Sequence, residues 1–220
     1  MGEVDYAGVT AALSPLGLIP RGGLHPAAAD DLAAASVILV GNAGGAMWRQ
    51  FPQQLPGPDG SRDALDKWCR ATLTPLAGDL GAEILFPFDG PPYQPFITWA
   101  IRAEGLSPAP IGPLIHPEFG PWHAYRAALL FDHEIVLPAP LNDHPCTRCA
   151  DKPCLTACPV SAFGVDGYDV PRCVGHLQQP AGDDCLGQGC RARRACPIGQ
   201  DYLYAPAQAN FHMAAFLRNY

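Results

Sequence analysis

Cys146-Thr147-Arg148-Cys149-Ala150-Asp151-Lys152-Pro153-Cys154-Leu155-Thr156-Ala157-Cys158-Pro159 places four thiols within thirteen residues and closes on Cys-Pro. A second, more open group follows as Cys173, Cys185, Cys190 and Cys196-Pro197, and it closes the same way. Together the two groups hold eight of the nine cysteines. Three chemistries gather cysteine in this way. Structural zinc takes four thiolates, but its usual signature is two short paired-cysteine knuckles separated by a longer stretch. A disulfide framework belongs to small secreted scaffolds, and Met1-Gly2-Glu3-Val4-Asp5 has neither the basic start nor the apolar core of an export signal. The spacing favours iron–sulfur ligation over zinc, with disulfides last.

In the two-cluster ferredoxin run that ends in Cys-Pro, the fourth cysteine serves the other cluster, since a tight loop brings only three thiolates to one cube. Applied here, one [4Fe-4S] cluster takes Cys146, Cys149, Cys154 and Cys196. The other takes Cys158, Cys173, Cys185 and Cys190. Eight ligands fill two clusters, and His144 is left without a ligand role. The run departs from its commonest form at Cys149-x4-Cys154, where Ala150-Asp151-Lys152-Pro153 reads as a turn-like insertion. Such a chain moves electrons.

At 220 residues the chain can hold one substantial domain or two modest ones. Hydrophobic residues make up 48%, enough for a packed core, and no apolar run approaches the ~20 residues that span a bilayer. With 23 Gly and 25 Pro, about a fifth of the chain is turn-forming, so long regular elements should be few. Net charge is −7, which argues against a general nucleic-acid binder and is compatible with docking to a basic redox partner. Reduced thiolates and the lack of an export signal point to the cytoplasm.

The first 140 residues read as an α/β domain with strands alternating with helices, hence a layered sheet with helices on its faces. Residues 3–14 form a short helix. Ser36-Val37-Ile38-Leu39-Val40 is a buried strand ended by the turn Gly41-Asn42-Ala43-Gly44-Gly45. That turn matches neither the dinucleotide fingerprint nor the P-loop, and it needs no nucleotide to explain it. Leu65, Trp68, Cys69, Leu73, Leu76, Ala77 and Leu80 recur at helical spacing from about Arg62 to Leu80, with Gly81 as the stop. A strand at 83–86, a helix at 95–104 and a strand at 124–131 complete the domain. Cys69 lies on the apolar helix face and reads as core. A two-cluster domain is expected at 141–203, then a closing helix within 204–220, spanning Ala207 to Leu217.

From Phe86 to Trp122 the sequence reads Phe86-Pro87-Phe88-Asp89-Gly90-Pro91-Pro92, then Trp99-Ala100-Ile101-Arg102-Ala103-Glu104-Gly105-Leu106, then Ile115-His116-Pro117-Glu118-Phe119-Gly120-Pro121-Trp122. Followed by the two cysteine groups, with Arg172-Cys173 in the lone-cysteine place, this resembles the cobalamin-binding core of epoxyqueuosine reductases and, more distantly, of reductive dehalogenases. The resemblance spans roughly residues 60–200. It implies an α/β (α+β) cofactor domain joined to a loop-rich, ferredoxin-like domain, and a corrinoid against the N-terminal sheet with one cluster close to it. Three departures stand out. The helical repeats that help those reductases hold transfer RNA are absent after Pro197. The family's Gly-Lys-His segment is replaced by Ile111-Gly112-Pro113-Leu114, and its Asn by His116.

The resemblance puts Asp89 at the position of the family's proton-donating Asp. An apolar setting of Phe86, Phe88 and Tyr93 would make such a carboxyl resist ionisation. The bland reading is an Asp-Gly turn. His116, Trp122 and Tyr125, with His123, are the candidate cofactor-binding residues, against a core or interface role. Glu118 and Arg102 form a candidate structural pair, and Arg191, Arg193 and Arg194 read as a solvated cationic face.

The reading that results is a cytoplasmic iron–sulfur oxidoreductase, shortened relative to epoxyqueuosine reductases. It passes electrons through two [4Fe-4S] clusters to a corrinoid, or a similar flat cofactor or substrate, in the N-terminal domain. The expected partners are an electron-donor protein such as a ferredoxin or flavodoxin and a small-molecule substrate or corrinoid, with no nucleic acid and no membrane. The rival is a non-catalytic electron carrier whose N-terminal domain only docks. A third reading keeps the pocket but fills it with a flavin or another tetrapyrrole.

Overall fold

The computed structural model describes residues 3–54, 63–164 and 167–220, without the side chains of 52–54. The described residues divide into two compact units. The first comprises 1–105 and 124–142, and the second 106–123 and 143–220. The second unit thus draws in a segment from within the expected N-terminal domain, and it also contains the closing helix. Arg62, the expected start of the long helix, lies outside the described residues.

The first unit opens with α1 (Tyr6–Leu13), capped by the Asp5 carboxylate accepting from Gly8 N–H at 2.7 Å. Strand β1 (Ile19–Leu24) and strand β2 (Ser36–Ala43) pair antiparallel, and β2 is buried along nearly its whole length. Two helices follow, α2 (Ala46–Gln54) and α3 (Ala64–Asp79). Helix α3 buries Leu65, Trp68, Cys69, Leu73 and Ala77, the face its periodicity predicts, and carries Pro75 inside it. Next come β3 (Glu83–Leu85) and α4 (Phe96–Glu104), which buries Phe96, Trp99, Ala100 and Ala103. The short antiparallel pair β4 (Ser107–Pro108) and β5 (Leu114–Ile115) belongs to the second unit. Strand β6 (His123–Phe131) then completes a four-stranded sheet of order β1-β2-β6-β3. This is an α/β fold.

One expectation is corrected here. The strand beginning at Ser36 does not turn at Gly41 but continues to Ala43. Gly41 is needed for closeness: a Cβ there would stand 2.2 Å from the Ala124 carbonyl oxygen.

The second unit has little regular structure. Pro145 and Pro153 each start a single helical turn, α5 (Pro145–Arg148) and α6 (Pro153–Thr156). A hairpin of β7 (Phe163–Gly164) and β8 (Gly167–Tyr168) leads to α7 (Val170–Leu177), capped by Asp169 accepting from Arg172 N–H at 2.9 Å. Helices α8 (Asp183–Gln188), α9 (Arg191–Arg194) and α10 (Pro206–Leu217) complete it. Its core gathers Ala109, Ile111, Ile115, Cys154 and Ala192, with Cys146, Cys158, Cys190 and Cys196 packed against them. That packing explains why 106–123 joins this unit. Gly120 and Gly199 meet face to face: a Cβ on Gly120 would lie 2.0 Å from the Ile198 oxygen, and one on Gly199 2.3 Å from Phe119 backbone. Both have positive φ, so glycine is required twice over.

Candidate functional site

The eight cysteines of the second unit stand in two foursomes. Cys146 sits in α5 and Cys149 ends it, Cys154 sits in α6, and Cys196 follows α9. These four line one cavity whose walls include Ile111, Ile115 and Ile198, with Lys152 at its side. Burial pushes the Cys146 thiol up, and the adjacent Cys196, Cys154 and Cys149 sulfurs push it further, while Lys152 opposes them. Burial likewise raises Cys154 and Cys196, again with foursome neighbours adding to the shift.

The second foursome is Cys158, Cys173, Cys185 and Cys190. Burial raises the Cys173 thiol, and Cys158 and Cys185 add to the shift. Cys190 is raised by burial foremost, with Cys185 and Cys173 as its sulfur neighbours. Ala162 N–H reaches Cys158 Sγ at 3.3 Å. Among the described residues, no three His, Cys, Asp or Glu side chains are drawn together as the ligands of a single metal ion. Within each foursome the thiols lie close enough to shift one another electrostatically, and the first foursome shares its cavity with apolar side chains.

In the first unit, Asp89 lies where Phe86 and Phe88 stack, at 5.0 Å between ring centroids. Its carboxylate pairs with Arg70 Nη2, and both side chains are substantially exposed. The Arg70 guanidinium in turn lies 4.7 Å from the Phe86 ring and 5.1 Å from Phe88. The expectation of a carboxyl in purely apolar surroundings is therefore corrected: the aromatic rings are present, but a cation lies between them and the acid. Arg70, Phe88 and Tyr93 line an open cavity together with Asp63, Asp66 and Lys67. Burial foremost raises the Asp66 carboxyl there.

No family model matches the chain, and no curated protein matches it. Solved structures do. An epoxyqueuosine reductase bound to an epoxyqueuosine-modified tRNA-Tyr stem loop matches over 90% of this chain, at 15% identity and TM-score 0.52. The chain covers 65% of that reductase, just under two thirds of its length. The Bacillus subtilis epoxyqueuosine reductase, solved with its catalytic loop swung out of the active site, matches over 91% of this chain and 67% of its own, at 16% identity and TM-score 0.51. The C. elegans B12-trafficking protein CblC matches over 95% of this chain and 92% of its own, at 14% identity and TM-score 0.53.

This chain has the epoxyqueuosine reductase fold.

Within that fold, the residues singled out near the His-Pro-Glu segment have identifiable partners. His116 is buried, its Nδ1 accepting from Glu118 and Phe119 N–H groups at 3.1 Å each while its ring stacks on Phe119. The imidazole nitrogen thereby holds the tight 116–120 loop. Trp122 is buried in the second unit, edge-on to Tyr204, with the Arg193 guanidinium 4.8 Å over its ring. Tyr125 belongs to the first unit, where its hydroxyl donates to Glu104. Burial pushes that phenol well above its ordinary range.

Sequence reasoning missed the group that Tyr125 joins. Arg21 is 1% exposed and bonds Glu104 in a bidentate pair, Nε to Oε1 at 2.9 Å and Nη2 to Oε2 at 2.8 Å. Its signal was a lone Arg inside Ile19-Pro20-Arg21-Gly22-Gly23-Leu24, a run that otherwise reads as a turn. The Glu118–Arg102 pairing is also corrected. Arg102 pairs with Asp30 at 2.6 Å, and Glu118 accepts from the Tyr202 hydroxyl. The cationic face is corrected too: Arg191 and Arg194 both bond Asp184, and Arg193 donates to the Pro121 carbonyl at 3.0 Å.

Proposed function

We propose that the chain is an iron–sulfur oxidoreductase, with Cys146, Cys149, Cys154 and Cys196 holding one [4Fe-4S] cluster and Cys158, Cys173, Cys185 and Cys190 a second. The carrying observation is the division of eight thiols into two foursomes, each with a member brought in from across the other's run. An all-thiolate donor set among apolar residues suits a cubane, and N–H groups aimed at ligand sulfur are how proteins tune such centres. Bound clusters would supply single-electron transfer. The chain's own part is to hold the thiolates, limit water, and orient donors toward sulfur.

The acceptor in this proposal is a corrinoid, or a similar flat cofactor or substrate, in the first unit. Two fold neighbours support that choice: one is a reductase, and the other, of nearly the same span as this chain, is a B12-trafficking protein. Tyr125 is proposed to contribute to the cofactor's surroundings in that unit, and His116 and Trp122, the other two candidate cofactor-binding residues, belong to the second unit. Asp89 is the proposed proton donor, supported by the Asp-bearing catalytic loop of the Bacillus subtilis enzyme. Arg70 would have to release the Asp89 carboxylate before it could act. A small-molecule substrate is preferred to transfer RNA because the net charge is −7. A ferredoxin or flavodoxin in the cytoplasm is the proposed electron donor. No helix among the described residues is long and apolar enough to cross a membrane.

The second reading is an electron carrier without turnover of its own, and the Arg70–Asp89 ion pair favours it, since that acid is already engaged. Protein purified without oxygen separates the two. The reductase reading expects about eight irons and eight sulfides and a change in the corrinoid spectrum on adding cobalamin. Iron without any corrinoid response supports the carrier, and stoichiometric zinc with little iron overturns both. With a substrate in hand, Asp89→Asn should keep both clusters and lose two to four orders of magnitude in rate, the range of general acid catalysis. Undiminished turnover would remove Asp89 from the chemistry.

A further inference from the structure

Arg70 holds Asp89 by one nitrogen only. Among the described residues, Nη2 to Asp89 Oδ1 is the single hydrogen bond that engages its guanidinium. Arg21, by contrast, grips Glu104 through two nitrogens. The fork of donors that matches a carboxylate two for two is therefore largely unused at Arg70. Its place does not depend on the acid, because the guanidinium lies over the rings of Phe86 and Phe88. Arg70 also lines an open cavity of about 590 Å³ with Lys67, Phe88 and Tyr93, a volume within the range of small-molecule sites. Tyr93 is 66% exposed, and its ring lies against the turn at Gly90, where an added Cβ would stand 2.7 Å from Cδ1. Two cations and two aromatic rings on one lining suit a flat molecule with a negative group. Asp63 and Asp66 share that lining, and their charge disfavours a doubly charged anion such as phosphate.

We propose that this cavity binds a small monocarboxylate with a flat apolar body, its carboxylate taking Arg70 from Asp89 and its ring lying against Phe88 and Tyr93. Asp89 is then the internal occupant that a ligand carboxylate replaces. The Arg70 and Asp89 side chains are 51% and 40% exposed, and an exposed pair of that kind contributes less than about a fivefold factor. A two-bond contact from a ligand carboxylate outweighs it. Binding the ligand and releasing the acid become one event. That link to Asp89 as proton donor rests on the reductase reading, while the site itself does not.

The test is a calorimetric titration of the full chain, purified without oxygen, with 2-naphthoate, its uncharged counterpart 2-naphthamide, and inorganic phosphate. 2-Naphthoate should bind, and 2-naphthamide should bind about tenfold more weakly or worse. Arg70→Gln should weaken 2-naphthoate by about tenfold or more, and Arg70→Lys, which keeps the charge but not the fork, should recover only part of that loss. Asp89→Asn distinguishes a competitor from a residue that holds the ligand. Affinity should rise about two- to fivefold, because the internal carboxylate is gone. A fall in affinity there, unchanged affinity in Arg70→Gln, or 2-naphthamide binding as tightly as 2-naphthoate would overturn the proposal. Phosphate binding more tightly than 2-naphthoate rejects the monocarboxylate class, and no 2-naphthoate binding by either wild type or Asp89→Asn rejects the site. Should Arg70→Gln fail to fold, the naphthamide and Asp89→Asn results decide alone. None of these readouts needs iron, a corrinoid or turnover, so a chain without clusters defeats the reductase reading and leaves this site to be judged by itself.

Discussion

Cys69 and Cys154 are both buried, yet they belong to cores of different kinds. Cys69 is wholly enclosed on the inner face of α3, beside Trp68 and Leu73, and burial pushes its thiol up to about 11. A thiol so placed is a small apolar side chain, unfit to ligate or attack. Cys154 sits among Ala109, Ile111, Ile115 and Ala192 with four more cysteines packed around them. The first unit is closed by its own side chains, with a nearly continuous buried strand and the bidentate Arg21–Glu104 pair at its heart. The second has a slight apolar core in which cysteines are among the packed side chains, and in the proposed function a cluster bound by those thiols would help hold it together. Burial alone therefore says little about a cysteine. Its company decides.

The largest expected effect tests that difference directly. Cys196→Ser should lower iron from about eight to about four per chain and damage the same spectroscopic centre as Cys146→Ser. Amide exchange should accelerate through the second unit while β2 keeps its protection. Equal loss of protection in β2 would mean that the first unit is not self-sufficient.

Next comes Glu104→Ala, which strands the buried Arg21 guanidinium and should cost about 3–5 kcal/mol. Denaturant unfolding measures it, and the iron content should be unchanged. Cys69→Ala is milder, costing roughly 1 kcal/mol, again with full iron content. Loss of iron in that variant would erase the distinction between the two kinds of cysteine.

The smallest expected effect concerns acid. The Arg102 hydrogen bonds hold the Asp30 carboxyl below its usual range. A depressed carboxyl stabilises the fold above the unfolded value of about 3.9 and loses that contribution as pH falls through the lower folded value. Asp30→Asn should therefore flatten the stability–pH curve in that acidic window and leave its slope near neutrality unchanged.

The regular part of the fold was legible because periodicity reports burial. The apolar face of α3, the buried run of β2 and the strand returning at β6 all follow from it. Strand β1 was not legible, because Pro20, Gly22 and Gly23 are turn residues and the strand status of the segment comes from pairing with β2. The Arg21–Glu104 pair spans 83 residues and leaves no local trace. The setting of Asp89 was misread for a similar reason: its aromatic neighbours are adjacent in sequence, but Arg70 arrives from α3, nineteen residues earlier. Cysteine groups are a chemical signal, readable without knowing the path between them.

The contact between Gly120 and Gly199 bears on synthesis as well as on packing. Residues 106–123 leave the ribosome together with the first unit, but the backbone they clasp, at Ile198 and Gly199, is made near the end of the chain. At roughly 5–20 residues per second, the ribosome needs on the order of ten seconds to bridge that interval. For that time Ala109, Ile111 and Ile115 lack the later part of the core they enter, Ala192 included. The nascent chain thus carries an uncovered apolar segment until residues 192–199 emerge, the window in which a chaperone would have to meet it.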